Sequence, residues 1–190
     1  VYSDRPFRNS QVHMSAPHMY CAILNALELK GGMSFLNIGS GSGYLSCLAS
    51  CLLGENGVSH GVELNAELVE NSRLATTAWF SDILSRRENG ESDLPLVSRE
   101  GVQFVHGNCF AIDVPSAASA ARYDRVYIGA SCPKRFVEYF YNLLADDGVM
   151  LVPVQENGEL LKILRIVGGV YTTECLSSVY YAPLQCVPRV

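Results

Sequence analysis

Residues 35–45, Phe-Leu-Asn-Ile-Gly-Ser-Gly-Ser-Gly-Tyr-Leu, constrain this chain more than any other stretch. Phe35, Leu36, Asn37 and Ile38 read as the end of a buried strand. Tyr44 and Leu45 open a helical pattern that runs to about Leu53. Between them, Gly39, Gly41 and Gly43 alternate with Ser40 and Ser42. Glycine permits a tight turn and close approach of the main chain to a ligand, and the following helix offers unpaired N–H groups at its N-terminus. Strand, glycine turn and helix start therefore read as a nucleotide cradle. The spacing is Gly-x-Gly-x-Gly, not the Gly-x-Gly-x-x-Gly of dinucleotide sites. A glycine triplet alone would be a bare turn. The context adds a second strand over 58–64, which carries Glu63 about 20 residues past the last glycine, where an acid reaches a ribose hydroxyl.

A chain of 190 residues builds one substantial core and is too short for two large ones. With 48% apolar and 17% charged residues it reads as globular, and a net charge of −5 without a basic run speaks against a nucleic-acid groove. No apolar stretch has the length of a membrane span, and no signal peptide is read at the start. The seven cysteines form no Cys-x-x-Cys and no cysteine–histidine metal spacing, so no metal is expected. Cys47 and Cys51, one helical turn apart, read as small buried apolar residues. This cysteine usage suits a reduced, cytoplasmic setting. Because the chain starts at Val1 rather than Met, residues 1–190 are expected to be a single domain cut from something longer.

Residues 1–14 read as irregular. Ser15-Ala16-Pro17 looks like a helix start, with Ser15 as the cap and proline in the first turn. Met19, Ala22, Ile23, Ala26 and Leu27 keep an apolar stripe until Gly31-Gly32 stops it. Beyond Glu63 a helix is expected over 66–80, then a surface loop insertion over 81–100 that includes Arg86-Arg87. A third strand, 102–106, leads into Gly107-Asn108-Cys109. A fourth, 123–128, ends at Gly129-Ala130. A helix over 133–145 and a fifth strand over 149–154 follow. Two closing strands, 160–167 and 171–181, join at Gly168-Gly169 as an antiparallel pair. Strands alternating with helices, then a strand pair, give an α/β fold with a doubly wound, mostly parallel seven-stranded sheet. Such sheets bind ligands at the carboxyl ends of their strands, where Gly39, Gly41, Gly43, Glu63, Gly107 and Gly129 fall.

Four stretches resemble the protein-L-isoaspartate O-methyltransferase family, a Rossmann-like class I S-adenosylmethionine methyltransferase group. Met14-Ser15-Ala16-Pro17-His18-Met19 is similar to its Ile-Ser-Ala-Pro-His-Met. Residues 37–45 resemble its cofactor loop, Tyr123-Asp124 its Tyr-Asp-x-Ile, and Tyr181-Ala182-Pro183-Leu184 its terminal Val-Pro-Leu. The likeness spans residue 2 to about 184, and the Ser-Ala-Pro-His element is its specific part. The family's N-terminal helical segment is not among residues 1–190, in keeping with the expectation of a domain cut from something longer. Asn37 stands where the family has an acid, Gly107-Asn108-Cys109 where it has Gly-Asp-Gly, and Tyr20 where it has a second histidine. These changes look more like the isoaspartate methyltransferase domain-containing subfamily, some of whose members recruit ubiquitin ligases through modules outside a chain like this one.

The resemblance implies S-adenosyl-L-methionine as cofactor and isoaspartyl residues of damaged proteins as substrate. It places Gly39, Ser40, Gly41 and Gly43 on the methionine part of the cofactor, and Glu63 with Leu64 at the ribose. Asn108 and Cys109 go near the adenine, and Tyr20 on the cofactor side. Ser15, His18 and Ala182 go to the substrate, with Ser15 aiming the reacting carboxylate. A carboxylate is already ionised at neutral pH and a sulfonium leaves without protonation, so alignment and exclusion of water carry the reaction. His13 and His18 flank Ser15 without a third metal ligand nearby. Tyr180 and Tyr181 point to opposite faces of the last strand, one into the core and one over the pocket. Trp79 reads as helix packing. Three activities fit: an isoaspartyl carboxyl methyltransferase, a cofactor- and isoaspartyl-binding recognition module without turnover that serves a partner such as a ubiquitin ligase, and a methyltransferase for another carboxylate.

Overall fold

The structure, a computed structural model, describes residues 3–9, 12–98, 100–112 and 122–185. The irregular reading of 1–14 falls partly outside these residues, at 1–2 and 10–11, and the loop reading at 99. Within the rest, β1 (Phe7–Arg8) and β2 (His13–Met14) pair antiparallel ahead of α1 (Pro17–Leu27). Then follow β3 (Ser34–Ile38), α2 (Tyr44–Leu53), β4 (Val58–Glu63), α3 (Ala66–Glu88), β5 (Val102–His106) and β6 (Tyr123–Ile128). The chain continues through α4 (Lys134–Val137), a 3-10 helix (Glu138–Leu143), β7 (Leu144–Pro153), β8 (Glu159–Ile166) and β9 (Val170–Ser178).

The seven-stranded sheet has the order β5-β4-β3-β6-β7-β8-β9. Its first five strands run parallel, β8 runs antiparallel to β7, and β9 antiparallel to β8. Alternation along the strands divides the core in two. Phe35, Tyr127 and Leu151 face Ile23 and Leu27 of α1 and Leu45, Ala49 and Leu53 of α2. Leu36, Ile38, Val126 and Ile128 face Val137, Phe140 and Leu143 on the other side. Burial on both faces matches the adjacent apolar residues Phe35-Leu36 of β3 and Val126-Tyr127-Ile128 of β6. Each fully buried large side chain contributes about 1.5–3 kcal/mol. The order reverses between β3 and β6, which sets the carboxyl ends of these two strands side by side as a switch point.

The β1–β2 ribbon lies in a segment expected to be irregular, and β9 ends at Ser178 rather than 181, so Tyr180 and Tyr181 follow the last strand instead of alternating along it. Two further elements differ from the sequence expectation. α3 runs to Glu88, so residues 81–88, expected in the surface loop, are helical, and Arg86-Arg87 form its last turn. No glycine or proline interrupts the chain between Phe80 and Gly90, and Ile83 continues the buried stripe of Val69, Ser72, Thr76 and Phe80. The two hydroxyl residues in that stripe hid its helical period. The expected helix over 133–145 is one turn of α-helix followed by a 3-10 segment, and β7 begins at Leu144 rather than 149. Buried Val137, Phe140 and Leu143 recur every third residue, the period of a 3-10 helix, and the intervening aromatics pack around Phe110 and Tyr171.

Candidate functional site

The glycine loop is fastened to the strand ends before any ligand is considered. The amides of Gly39 and Ser40 donate to the Val62 carbonyl at 2.8 and 3.2 Å, and the Gly129 amide donates to Ile38 at 2.7 Å. Gly39, Gly41 and Gly43 have φ of 73, 55 and 76°, the left-handed region that side chains with a Cβ occupy at a cost. Their surroundings differ. A Cβ on Gly41 would meet nothing within 4 Å, whereas one on Gly43 would lie 2.6 Å from the Phe104 ring. Gly41 thus leaves open space over the loop, and Gly43 lets the loop pack on β5 and α3. Glu63, at the end of β4, accepts from the Gly41 amide at 2.9 Å and from the Asn65 amide at 3.0 Å.

Two polar atoms under the loop are left without partners among the described residues. Asn37 is 2% exposed; its Nδ2 donates to Ser46 Oγ at 3.1 Å, and its Oδ1 has no donor. Ser40 Oγ is likewise buried and unpaired. Both residues line a cavity of about 540 Å³, which Ser15, His18, Tyr20, Gly39, Gly41, Tyr127, Tyr181 and Ala182 also line. A buried unsatisfied group costs roughly 1–3 kcal/mol, so a donor from a bound molecule would relieve Asn37.

The opposite wall comes from the start of α1. Ser15, expected as its cap, is not: Ala16 holds that position, and no side chain caps from there. Asp4 does that work from a distance. Its Oδ1 accepts from the His18 amide at 3.0 Å and lies 2.9 Å from His18 Nδ1. Proline at position 17 has no N–H to satisfy. The Asp4 carboxyl is held below its usual range, chiefly by the His18 amide and then by the His18 ring. A depressed carboxyl stabilises the fold above its unfolded pKa and loses that contribution as pH falls through its folded value. Acidification below about pH 4 should therefore release residues 3–9 from α1, read as faster amide exchange at His18. With this end occupied by Asp4, Ser15 faces the cavity. Its own amide donates to the Tyr20 hydroxyl at 3.0 Å.

The structure brings Ser15, His18, Tyr20, Gly39, Ser40, Gly41 and Ala182 to one cavity and sets Glu63 against it through Gly41. Gly43, Leu64, Asn108 and Cys109 do not line it. Asn108 Oδ1 accepts from the Phe110 amide at 3.0 Å, and Cys109 is buried in the core beneath the α4 face. Of the tyrosine pair, Tyr180 is 99% exposed and Tyr181 packs inward. Tyr127, the register partner of Asn37 on the same face, was missed because only the pairing of β3 with β6 brings it to the cavity. Asp4 was missed because its partner lies fourteen residues on. Trp79 rests on Phe80, 4.9 Å between ring centroids, as expected of helix packing. Cys47 and Cys51 are part-buried with thiol pKa values pushed up by burial. No group of three potential metal ligands occurs among the described residues, and no helix among them is long and apolar enough to cross a membrane.

The family model for protein-L-isoaspartate(D-aspartate) O-methyltransferase matches residues 1–187. The chain belongs to this family. A protein-L-isoaspartate O-methyltransferase of Caenorhabditis elegans is 30% identical over 189 residues, covering 96% of this chain and 76% of that protein. One of Fervidobacterium nodosum is 29% identical over 176 residues, covering 90% and 75%. A Plasmodium falciparum chain described as a protein-L-isoaspartate O-methyltransferase and solved with S-adenosyl-L-homocysteine superposes with a TM-score of 0.75 at 24% identity, covering 97% of this chain and 81% of that one. At that identity the superposition speaks for the fold: the Rossmann-like class I methyltransferase sheet expected from the sequence.

Proposed function

We propose that this chain is an S-adenosyl-L-methionine-dependent carboxyl methyltransferase acting on L-isoaspartyl residues of damaged proteins. The observation that carries the reading is one cavity walled on one side by the glycine loop and on the other by Ser15. The residues fit the cofactor. The unpaired, buried Oδ1 of Asn37 suits the donor of an α-ammonium group, and the open face of Gly39 and Gly41 suits a ligand lying on the main chain. Glu63 uses two of its roughly four acceptor sites on Gly41 and Asn65 and keeps the others for ribose hydroxyls. Ser40, Gly43 and Leu64 complete the cradle, with Tyr20 beside it. Asn108 and Cys109 stand at the end of β5, on the adenine side.

The bound cofactor would supply a methyl group on a sulfonium, whose C–S electron pair stays with sulfur as a carboxylate lone pair forms the new O–CH₃ bond. The chain's own residues orient and desolvate. The Ser15 hydroxyl donates to one carboxylate oxygen and fixes the other toward the cofactor side, while His18 and Ala182 bound the peptide. Orientation of this kind is worth roughly 7–11 kcal/mol. The His18–Asp4 pair is spectator chemistry here, since an ionised carboxylate has no proton to give up. A ubiquitin ligase engaged through regions outside this chain, a cytoplasmic setting and a single domain over 1–190 complete the proposal.

Two measurements test it. In the presence of S-adenosylhomocysteine, an isoaspartyl peptide should bind and its aspartyl isomer should not; equal binding would overturn the substrate. For the cofactor, Asn108→Asp should tighten binding about fivefold in calorimetry, roughly 1 kcal/mol, because a charged acceptor replaces a neutral one while still capping Phe110. Unchanged affinity would place Asn108 away from the adenine.

A further inference from the structure

A carboxylate entering this cavity meets no lysine or arginine side chain among the lining residues. It meets hydroxyls. Tyr127 is 5% exposed, and its hydroxyl donates to that of Tyr181 at 2.9 Å. A phenol has one hydrogen and two acceptor positions. With Tyr127's hydrogen directed to the Tyr181 oxygen, Tyr181's own hydrogen needs another acceptor, and no hydrogen bond among the described residues provides one. Both rings line the cavity. The segment carrying Tyr181 is pinned at the carboxyl end of β6: Ser131 donates from its amide to Ala182 at 2.8 Å and from its hydroxyl to the Tyr181 carbonyl at 3.2 Å, and Leu184 donates to Ser131 at 2.8 Å. On the facing wall the Ser15 amide holds the Tyr20 hydroxyl. Burial pushes the phenols of Tyr127, Tyr181 and Tyr20 upward, so all three stay protonated donors through the physiological range.

We infer that Tyr181, aimed by Tyr127, donates a hydrogen bond to the substrate carboxylate, so that hydroxyls take the place of a lysine or arginine in holding the anion. The inference rests on the carboxyl-methyltransferase reading above and names a second donor beside Ser15. A neutral donor fixes the carboxylate without neutralising it, so its free oxygen keeps the electron density that attack on a methyl group needs. A guanidinium in the same place would bind more strongly and blunt the nucleophile. Tyr127 touches no substrate in this scheme. It is a positioning residue, because it occupies a lone pair of Tyr181 and leaves that hydroxyl one useful direction.

The test uses Tyr181→Phe, Tyr127→Phe and the double variant, each keeping its ring and so its packing. Calorimetry measures S-adenosylhomocysteine alone, then an isoaspartyl peptide and its aspartyl isomer with S-adenosylhomocysteine present. Tyr181→Phe should weaken isoaspartyl binding tenfold or more, Tyr127→Phe severalfold, and the double variant no more than Tyr181→Phe alone. Cofactor affinity should be unchanged in all three. That non-additivity is what an aiming role produces and two independent packing losses do not. Peptide affinity in Tyr181→Phe equal to wild type overturns the donor. Loss of cofactor affinity in step with peptide affinity overturns it too, by making the pair structural. Wild type binding both isomers equally, with the loss in Tyr181→Phe retained, keeps the donor and overturns the isoaspartyl substrate. Wild type binding neither isomer overturns both.

Discussion

Gly41→Val should reduce S-adenosylmethionine affinity at least 100-fold, roughly 2.7 kcal/mol, while leaving the chain folded. Gly41 sits at φ 55°, where a side chain costs roughly 1–2 kcal/mol, more for a β-branched one. Nothing in the protein lies within 4 Å of the added Cβ, so the fold bears the backbone strain and no clash. The valine methyls would instead fill the space over the loop, and the loop would press on the Gly41 amide that Glu63 accepts from. Both consequences fall on the ligand. Gly43→Ala is the contrasting control, because its Cβ would lie 2.6 Å from the Phe104 ring and 3.0 Å from Ser72 Cβ. That change should lower the melting temperature more than Gly41→Val does. Calorimetry and thermal melts on both variants separate the effects; equal cofactor affinity in Gly41→Val and wild type would remove the loop from the site.

Ser15→Ala should lower turnover on an isoaspartyl peptide tenfold or more, the loss of about 1.4 kcal/mol of transition-state positioning. Cofactor affinity should be unchanged, because the glycine loop holds that ligand. The structure sharpens this expectation. Were Ser15 the cap of α1, its loss would also destabilise the fold by about 1 kcal/mol. Ala16 and Asp4 occupy that role instead, so the melting temperature should hold and the rate loss can be read without correction. A Ser15→Ala enzyme with wild-type kcat and KM would return Ser15 to the backbone of the wall, its amide on Tyr20 and its hydroxyl idle.

Much of this site is legible in the sequence because its parts are local. The glycine triplet, the strand that precedes it and Glu63 at the end of the next strand are fixed by short-range rules of turn and period. The Ser-Ala-Pro-His element could be located, but not how its helix is capped, since Asp4 reaches it across a two-stranded ribbon. Tyr127 and Tyr181 meet only because β6 ends beside the segment after β9, a contact that topology sets and no local pattern reports. Asn37 was visible as a departure from an acid. Its unpaired Oδ1 was not, because satisfaction of a buried amide depends on what α2 presents, and α2 presents Ser46 to the nitrogen alone. The end of α3 was misplaced for a different reason: polar residues on its buried stripe weaken the periodic signal while the backbone, free of breakers, continues.

The central claim is that a cavity shared by the glycine loop and Ser15 transfers a methyl group to an isoaspartyl carboxylate. Incubating the chain with cofactor labelled in the methyl group, and with an isoaspartyl peptide beside its aspartyl isomer, measures this directly. Base-labile label is expected on the isoaspartyl peptide and none on the isomer, with loss of both label and cofactor binding in Gly41→Val. A wild-type chain that binds cofactor and isoaspartyl peptide together yet transfers no label would contradict the claim and make the chain a reader of damaged sites.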